Sequence, residues 1–193
     1  MSLIFLFVLP FLSGCIIPII KDKPESWAEV KHVSNGCPDL SGVYKNIGVA
    51  DNERCSPNRH GGIRRECLLS VVLELIYGMG PFVTHAPPVA EFINTKVAIG
   101  KNIDGLIPVK IYENESLLKQ FKWDTDKYAF TTCRNDGLVI RTPYHDIDYL
   151  ELKRGADKSI MMHTNVSDIR MSPPYGLPAG TIMERWYKWE SIE

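Results

Sequence analysis

The stretch Tyr128-Ala-Phe-Thr-Thr-Cys-Arg-Asn-Asp-Gly-Leu-Val-Ile-Arg-Thr142 decides the fold class. Its centre, Asn135-Asp136-Gly137, is the strongest hairpin signal in the chain, because tight turns need positive φ angles and Asp-Gly tolerates them. Strands are therefore expected over 128–134 and 138–142. Upstream, residues 117–123 place Phe121 and Trp123 on one face and Gln120 and Lys122 on the other, the period of a half-buried strand. Residues 95–99 and 106–112 read the same way, with Pro108 pointing to an edge position. Residues 42–46 form a first strand after the turn signals Pro38 and Asp39. Downstream, 147–153, 159–166 and 181–189 are three more strands. The last sets Ile182 and Trp186 against Met183, Tyr187 and Trp189, so neither of its faces should be fully solvated. Short strands separated by turns predict a mainly β (α+β) fold, an antiparallel sheet or barrel-like meander.

One segment departs from the period of two. Residues 63–77 carry Glu66, Ser70 and Glu74 at every fourth place, a narrow polar stripe. Cys67, Leu68, Leu69, Val71, Val72, Leu73, Leu75 and Ile76 fill most of the remaining circumference. Such a helix is largely buried, here against a sheet, with Gly78 at its end. Pro81, Pro87 and Pro88 make 78–88 a loop.

Composition narrows the function. The net charge of −1 argues against a nucleic-acid partner, which calls for a basic patch or stripe. No nucleophile elbow, P-loop or dinucleotide fingerprint occurs. His60 between Cys55 and Cys67 offers soft zinc ligands, though cysteines in an oxidising compartment more often pair with one another. His145, Asp146 and Asp148 read as a turn between strands, and His163 as a packed or surface histidine in mid-strand. Glu66 and Glu74 read as the wet side of the helix. No catalytic residue, metal ligand or cofactor is therefore assigned. A hydrolase built on His145 or His163 would need a carboxylate or hydroxyl within hydrogen-bond reach. Pro81-Phe82 and Pro173-Pro174-Tyr175 are candidate contact loops for a protein partner.

At the other end, Leu12-Ser13-Gly14-Cys15 closes an apolar run that starts at Leu3. The four residues resemble a lipobox, the cleavage and lipidation signal of bacterial lipoproteins. That resemblance implies removal of residues 1–14 and acylation of Cys15, with a lipidated tether over 15–36; the remaining length, 37–193, is that of a single folded domain. Lys21-Asp22-Lys23-Pro24-Glu25-Ser26 reads as the polar part of the tether. Lipoproteins of this kind carry three acyl chains, and each buried CH₂ contributes ~0.8 kcal/mol to membrane attachment. Their retention signal for the inner membrane is Asp after the cysteine; Ile16 here implies the outer membrane, facing the periplasm. Two alternatives stand beside this one. Residues 3–20 approach the length of a membrane span, though Pro10, Gly14 and Pro18 interrupt them. Plain secretion, with a coincidental cysteine, is the other.

Cys37-Pro38-Asp39-Leu40-Ser41-Gly42-Val43-Tyr44, with Phe130, Cys133, Gly137 and Leu138 later, is similar to the start of the mature domain in uncharacterised bacterial lipoproteins. That likeness implies an envelope location and no particular activity. After Cys15 four cysteines remain, an even number that in an exported chain points to two disulfides among three possible pairings. Cys55 and Cys67 flank a polar loop that a local bridge would close, which leaves Cys37 with Cys133. Finally, Gly42-Val43-Tyr44 together with Arg185 resembles lipocalins, in which an aromatic on the first strand packs under an arginine from the end of the barrel. That resemblance implies an interior holding a small apolar ligand. Tyr44 stands where that family has Trp, and the 63–77 helix where it continues with strands.

Overall fold

The computed structural model describes residues 16–33, 37–51, 53–55, 67–76, 94–124, 131–134, 136–141, 147–172 and 177–192. Its elements are β1 (Ile16–Ile19), β2 (Gly42–Lys45), β3 (Val49–Ala50), β4 (Glu53–Arg54), α1 (Leu69–Ile76), β5 (Thr95–Ile99), β6 (Leu106–Glu113), β7 (Ser116–Asp124), β8 (Thr131–Arg134), β9 (Gly137–Arg141), β10 (Ile147–Arg154), β11 (Ile160–Ser172) and β12 (Leu177–Trp189). The fold is mainly antiparallel β with one short helix, and its two sheets are not closed into a barrel. The larger sheet runs β4-β3-β12-β11-β10-β9-β8, with β1 added to β12; the smaller runs β2-β5-β6-β7.

One core joins both sheets and the helix. Tyr44, Val97, Val109 and Trp123 come from the small sheet, Leu138, Leu152, Ile160, Tyr187 and Trp189 from the large one, and Leu69, Val72 and Leu73 from α1. Alternation works as expected on β7, where Phe121 and Trp123 are buried and Gln120 and Lys122 exposed. On β12, Tyr187 and Trp189 enter this core while Trp186 joins a second apolar cluster with Trp27 and Met161.

The hairpin forms where expected, but its glycine has a different role. Arg134 pairs with Gly137, so the loop is Asn135-Asp136 and Gly137 already belongs to β9. Gly137 does not adopt the left-handed conformation. A Cβ there would lie 2.8 Å from Cγ and Oε1 of Glu151; the absent side chain makes room for a carboxylate. Pro108 is likewise not on an edge strand, since β6 pairs with both β5 and β7. The last β5 partner is Ile99, opposite Val109, and beyond it the Pro108 carbonyl accepts from Gly100 N at 2.7 Å. Proline sits one residue past the point where its missing N–H would matter.

The helix begins at Leu69; of its polar stripe, Ser70 is buried, while Glu74 is partly exposed and pairs with Lys119 at 3.0 Å. The first turn of a helix has unpaired N–H groups. Here they are met by Asn46, just past the end of β2. Its carbonyl oxygen accepts from Leu69 N at 3.0 Å and its side-chain oxygen from Ser70 N at 2.8 Å. Its amide donates to Thr95 Oγ1 at 2.9 Å. Asn46 thus ties β2, α1 and β5 together while 1% exposed. Asn46→Ala strands two buried partners, so a stability loss of about 2–3 kcal/mol is expected in urea unfolding.

The block from Cys37 to Tyr44 is a turn locked by its own tyrosine. Asp39 accepts from Ser41 N at 3.0 Å, Gly42 has φ 152°, and Tyr44 Oη donates back to the Leu40 carbonyl at 2.8 Å. A Cβ on Gly42 would approach Tyr44 Oη to 2.8 Å. The cation over the Tyr44 ring is Arg154, at 5.4 Å. Arg185, which the lipocalin resemblance placed there, instead donates from Nε to Met183 Sδ at 3.2 Å. Together with the open sheets, this replaces the barrel arrangement that the resemblance implied.

Candidate functional site

The outer face of the large sheet, turned away from the shared core, carries the most concentrated chemistry. Glu151 and His163 are direct partners across β10 and β11, and Trp186 faces His163 from β12. Lys153, two residues along from Glu151, shares that face because successive strand side chains alternate. Its ammonium lies 3.0 Å from Asp136 and 3.2 Å from Glu151. His163 Nε2 is 3.4 Å from Glu184 and Nδ1 3.9 Å from Glu151. The imidazole stacks on Trp186 at 4.4 Å and meets Tyr149 edge-on at 5.8 Å.

An N-terminal strap crosses this face. β1 pairs in parallel with β12, Ile16 opposite Gly180 through Ile19 opposite Met183. Lys21 then bonds Asp51 at 2.9 Å, and its carbonyl accepts from Trp186 Nε1 at 2.9 Å. Asp51 continues the same edge by accepting from Trp186 N at 2.8 Å. A turn at Pro24 lays Trp27 against Met161 and Trp186. Beyond it, Ala156 N donates to the Glu29 carbonyl and Lys31 N to the Arg154 carbonyl. Polar composition predicted a tether over this stretch; backbone bonds and one tryptophan make it part of the fold.

Electrostatically the cluster favours carboxylates. Burial raises Glu151, but His163 and Lys153 outweigh it and hold the carboxyl below its ordinary value. A hydrogen bond from Lys153 lowers Asp136. Asp39 is lowered by Ser41, and Glu190 by Lys45. For Asp157 the burial penalty comes first and is exceeded by Lys188 and Ser159. A carboxyl held low when folded binds its proton sooner when unfolded. Its contribution is therefore complete above the ordinary carboxyl range and lost as pH falls through and below it. The urea midpoint is expected to fall steadily from about pH 5 to about pH 3, with Lys153→Met flattening part of that slope.

The arrangement packs its charged and aromatic side chains against one another. His163 Nε2 is buried and has no hydrogen-bond partner among the described residues, and Trp186 covers the ring face. The described contacts of His163 are two carboxylates, an indole and a phenol ring. Among the described residues no group of three or more His, Cys, Asp and Glu could hold a metal ion.

Both expected disulfides are present. Cys37 joins Cys133 with Cα atoms 4.8 Å apart, and Cys55 joins Cys67 at 5.8 Å. Cys15, His60, Glu66, His145, Asp146, Pro81-Phe82 and Pro173-Pro174-Tyr175 lie outside the described residues; Asp148 is described only as backbone of β10. The sequence singled out His163, and Asp136 only as a turn residue, but none of Glu151, Lys153 or Glu184; the group gathers only once the register of β9, β10, β11 and β12 is known. No family model, curated protein or solved structure matches the chain.

Proposed function

We propose that this chain is a bacterial envelope lipoprotein, acylated on Cys15 and held at the outer membrane, whose β-domain acts as a non-enzymatic binding or structural module. The observation that carries this reading is the cysteine arrangement. All four cysteines after Cys15 pair with one another, the pattern of an oxidising compartment, and the cysteine left over is the one in the lipobox-like Leu12-Ser13-Gly14-Cys15. The rival reading, a span over residues 3–20, is weakened because residues 16–19 pair as a strand with β12.

A module role is supported by the outer-face cluster, in which Lys153 is paired with both Asp136 and Glu151 and Trp186 is held by the strap. A carrier role is disfavoured by a core filled with Trp123, Trp189, Tyr44 and Tyr187, all at most 1% exposed. In cell fractionation, Cys15→Ser is expected to move the protein from the membrane pellet to the soluble fraction. Equal pelleting of both forms contradicts acylation. Chemical cross-linking of whole cells is expected to capture a discrete envelope neighbour, and capture of none counts against the module.

A further inference from the structure

We infer that the free edge of the small sheet, the part of β7 from Lys119 to Asp124, takes up an extended acidic segment of a partner protein as an added strand. This deepens the binding role proposed above and rests on it, but not on acylation of Cys15.

The two edges of the small sheet differ. At β2 the last residues of the chain continue the ladder: Lys45 N donates to the Glu190 carbonyl at 3.1 Å and Ile192 N to the Val43 carbonyl at 2.8 Å. Beyond β7 no described strand follows. Which of its groups face outward is set by the alternation of an antiparallel ladder. The Pro108 carbonyl turns to β5, where it accepts from Gly100 N at 2.7 Å. Ile107, Val109 and Ile111 therefore turn the other way and pair with Trp123, Phe121 and Lys119 of β7. Gln120 and Lys122, lying between those partners, direct their N–H and C=O groups away from β6, and both residues are exposed.

Charge selects the occupant. From Ser116 to Trp123, β7 carries Lys119 and Lys122 and no acid. Lys110 lies opposite Gln120, so it adds an exposed ammonium to the face of Lys122, one diagonal away across the pair. Lys119 is bound to Glu74 at 3.0 Å, whereas Lys110 and Lys122 enter no ion pair among the described residues. Edge lysines discourage pairing with a neutral or like-charged strand. A second copy of β7 would bring the lysines of both chains to one seam, where like charges oppose association. An acidic strand turns the same groups to attraction. Its main chain would bond to Gln120 and Lys122, and its alternate side chains would share the face of Lys110 and Lys122. Leu117 and Leu118, 48% and 56% exposed, offer apolar contact at the start of the strand.

The test uses the whole protein, with both disulfides formed, in a non-ionic detergent at about 50 mM salt, where surface charge is weakly screened. The probes are a peptide of about nine residues alternating Thr and Glu, a usual strand length, and its counterpart with Lys for Glu. Titration calorimetry is expected to give at least tenfold tighter binding of the Glu peptide, and amide exchange at Gln120 and Lys122 should slow when it binds. Gln120→Pro removes an outward N–H and leaves the bonds to β6 in place, as an edge strand allows; it should weaken the Glu peptide at least tenfold. Lys110→Glu with Lys122→Glu should invert the preference, which keeps the test decisive if the proline variant does not fold. Binding of neither peptide, equal binding of both, or undiminished binding by folded Gln120→Pro overturns the proposal. So does sedimentation showing a dimer that Gln120→Pro abolishes, which gives the edge to a second copy. Each of those results leaves the broader binding role standing, since cross-linking in whole cells tests that role separately.

Discussion

Replacing Cys37 and Cys133 together by Ala is expected to lower the unfolding free energy by about 4.7 kcal/mol. The bridge spans 96 residues of sequence, and in the chain-entropy account the stabilisation grows with the loop that is closed. It also has a structural position that a local bridge lacks. Cys37 precedes β2 of the small sheet, while Cys133 lies in β8, which pairs only with β9 among the described strands. Four residue pairs hold β8 to β9, so the bond to Cys37 is what secures that edge to the rest of the fold. The Cys55–Cys67 bridge, over 12 residues, should contribute less, about 3 kcal/mol. Urea unfolding of the two double variants gives the order directly. A smaller loss for the long bridge than for the short one would refute this account of the edge.

Trp189→Ala should cost about 4 kcal/mol, the range for deleting a buried tryptophan. The indole is fully buried, lies 6.3 Å from the Tyr187 ring, and donates from Nε1 to the Cys67 carbonyl at 3.1 Å. It couples the last strand to the residue that starts the helical segment and closes the short disulfide. Gly48 lets the ring approach, since a Cβ there would meet Nε1 and the Lys188 carbonyl at 2.7 Å. Trp189→Phe keeps most of the apolar surface and loses the hydrogen bond, so it should cost only about 1–2 kcal/mol. Equal losses for Ala and Phe would mean that the hydrogen bond, not the packing, holds this corner.

The parts of the fold that were legible in the sequence are those where water touches one side. Phe121 and Trp123 against Lys122 declare a strand because only one face of β7 is wet. The two long strands β11 and β12 extend beyond the expected 159–166 and 181–189 because each supports the other through Ser172–Leu177; that mutual pairing leaves no trace in either strand's own alternation. Polar Lys21–Ser26 looked like linker because its attachment uses backbone groups, such as the Lys21 carbonyl that receives Trp186 Nε1. Asn46 is a single polar residue at a strand end, and nothing around it shows that a helix 23 positions later will lean on its side chain.

The candidate site was less legible for a related reason. Glu151, His163 and Glu184 are 12 and 21 residues apart in sequence and meet only through strand register. A one-residue slip would send each to the other face. Gly137 read as a turn residue, and its contact with Glu151 depends on that same register. The disulfides were more accessible, since one pair flanks a short loop and the other follows once that pair is set.

The intact mass of the protein recovered from growing bacteria tests the central claim most directly. An acylated chain beginning at Cys15, lighter by the hydrogens lost to the Cys37–Cys133 and Cys55–Cys67 bridges, is the predicted result. A chain that still begins at Met1, with every cysteine a free thiol, would contradict it.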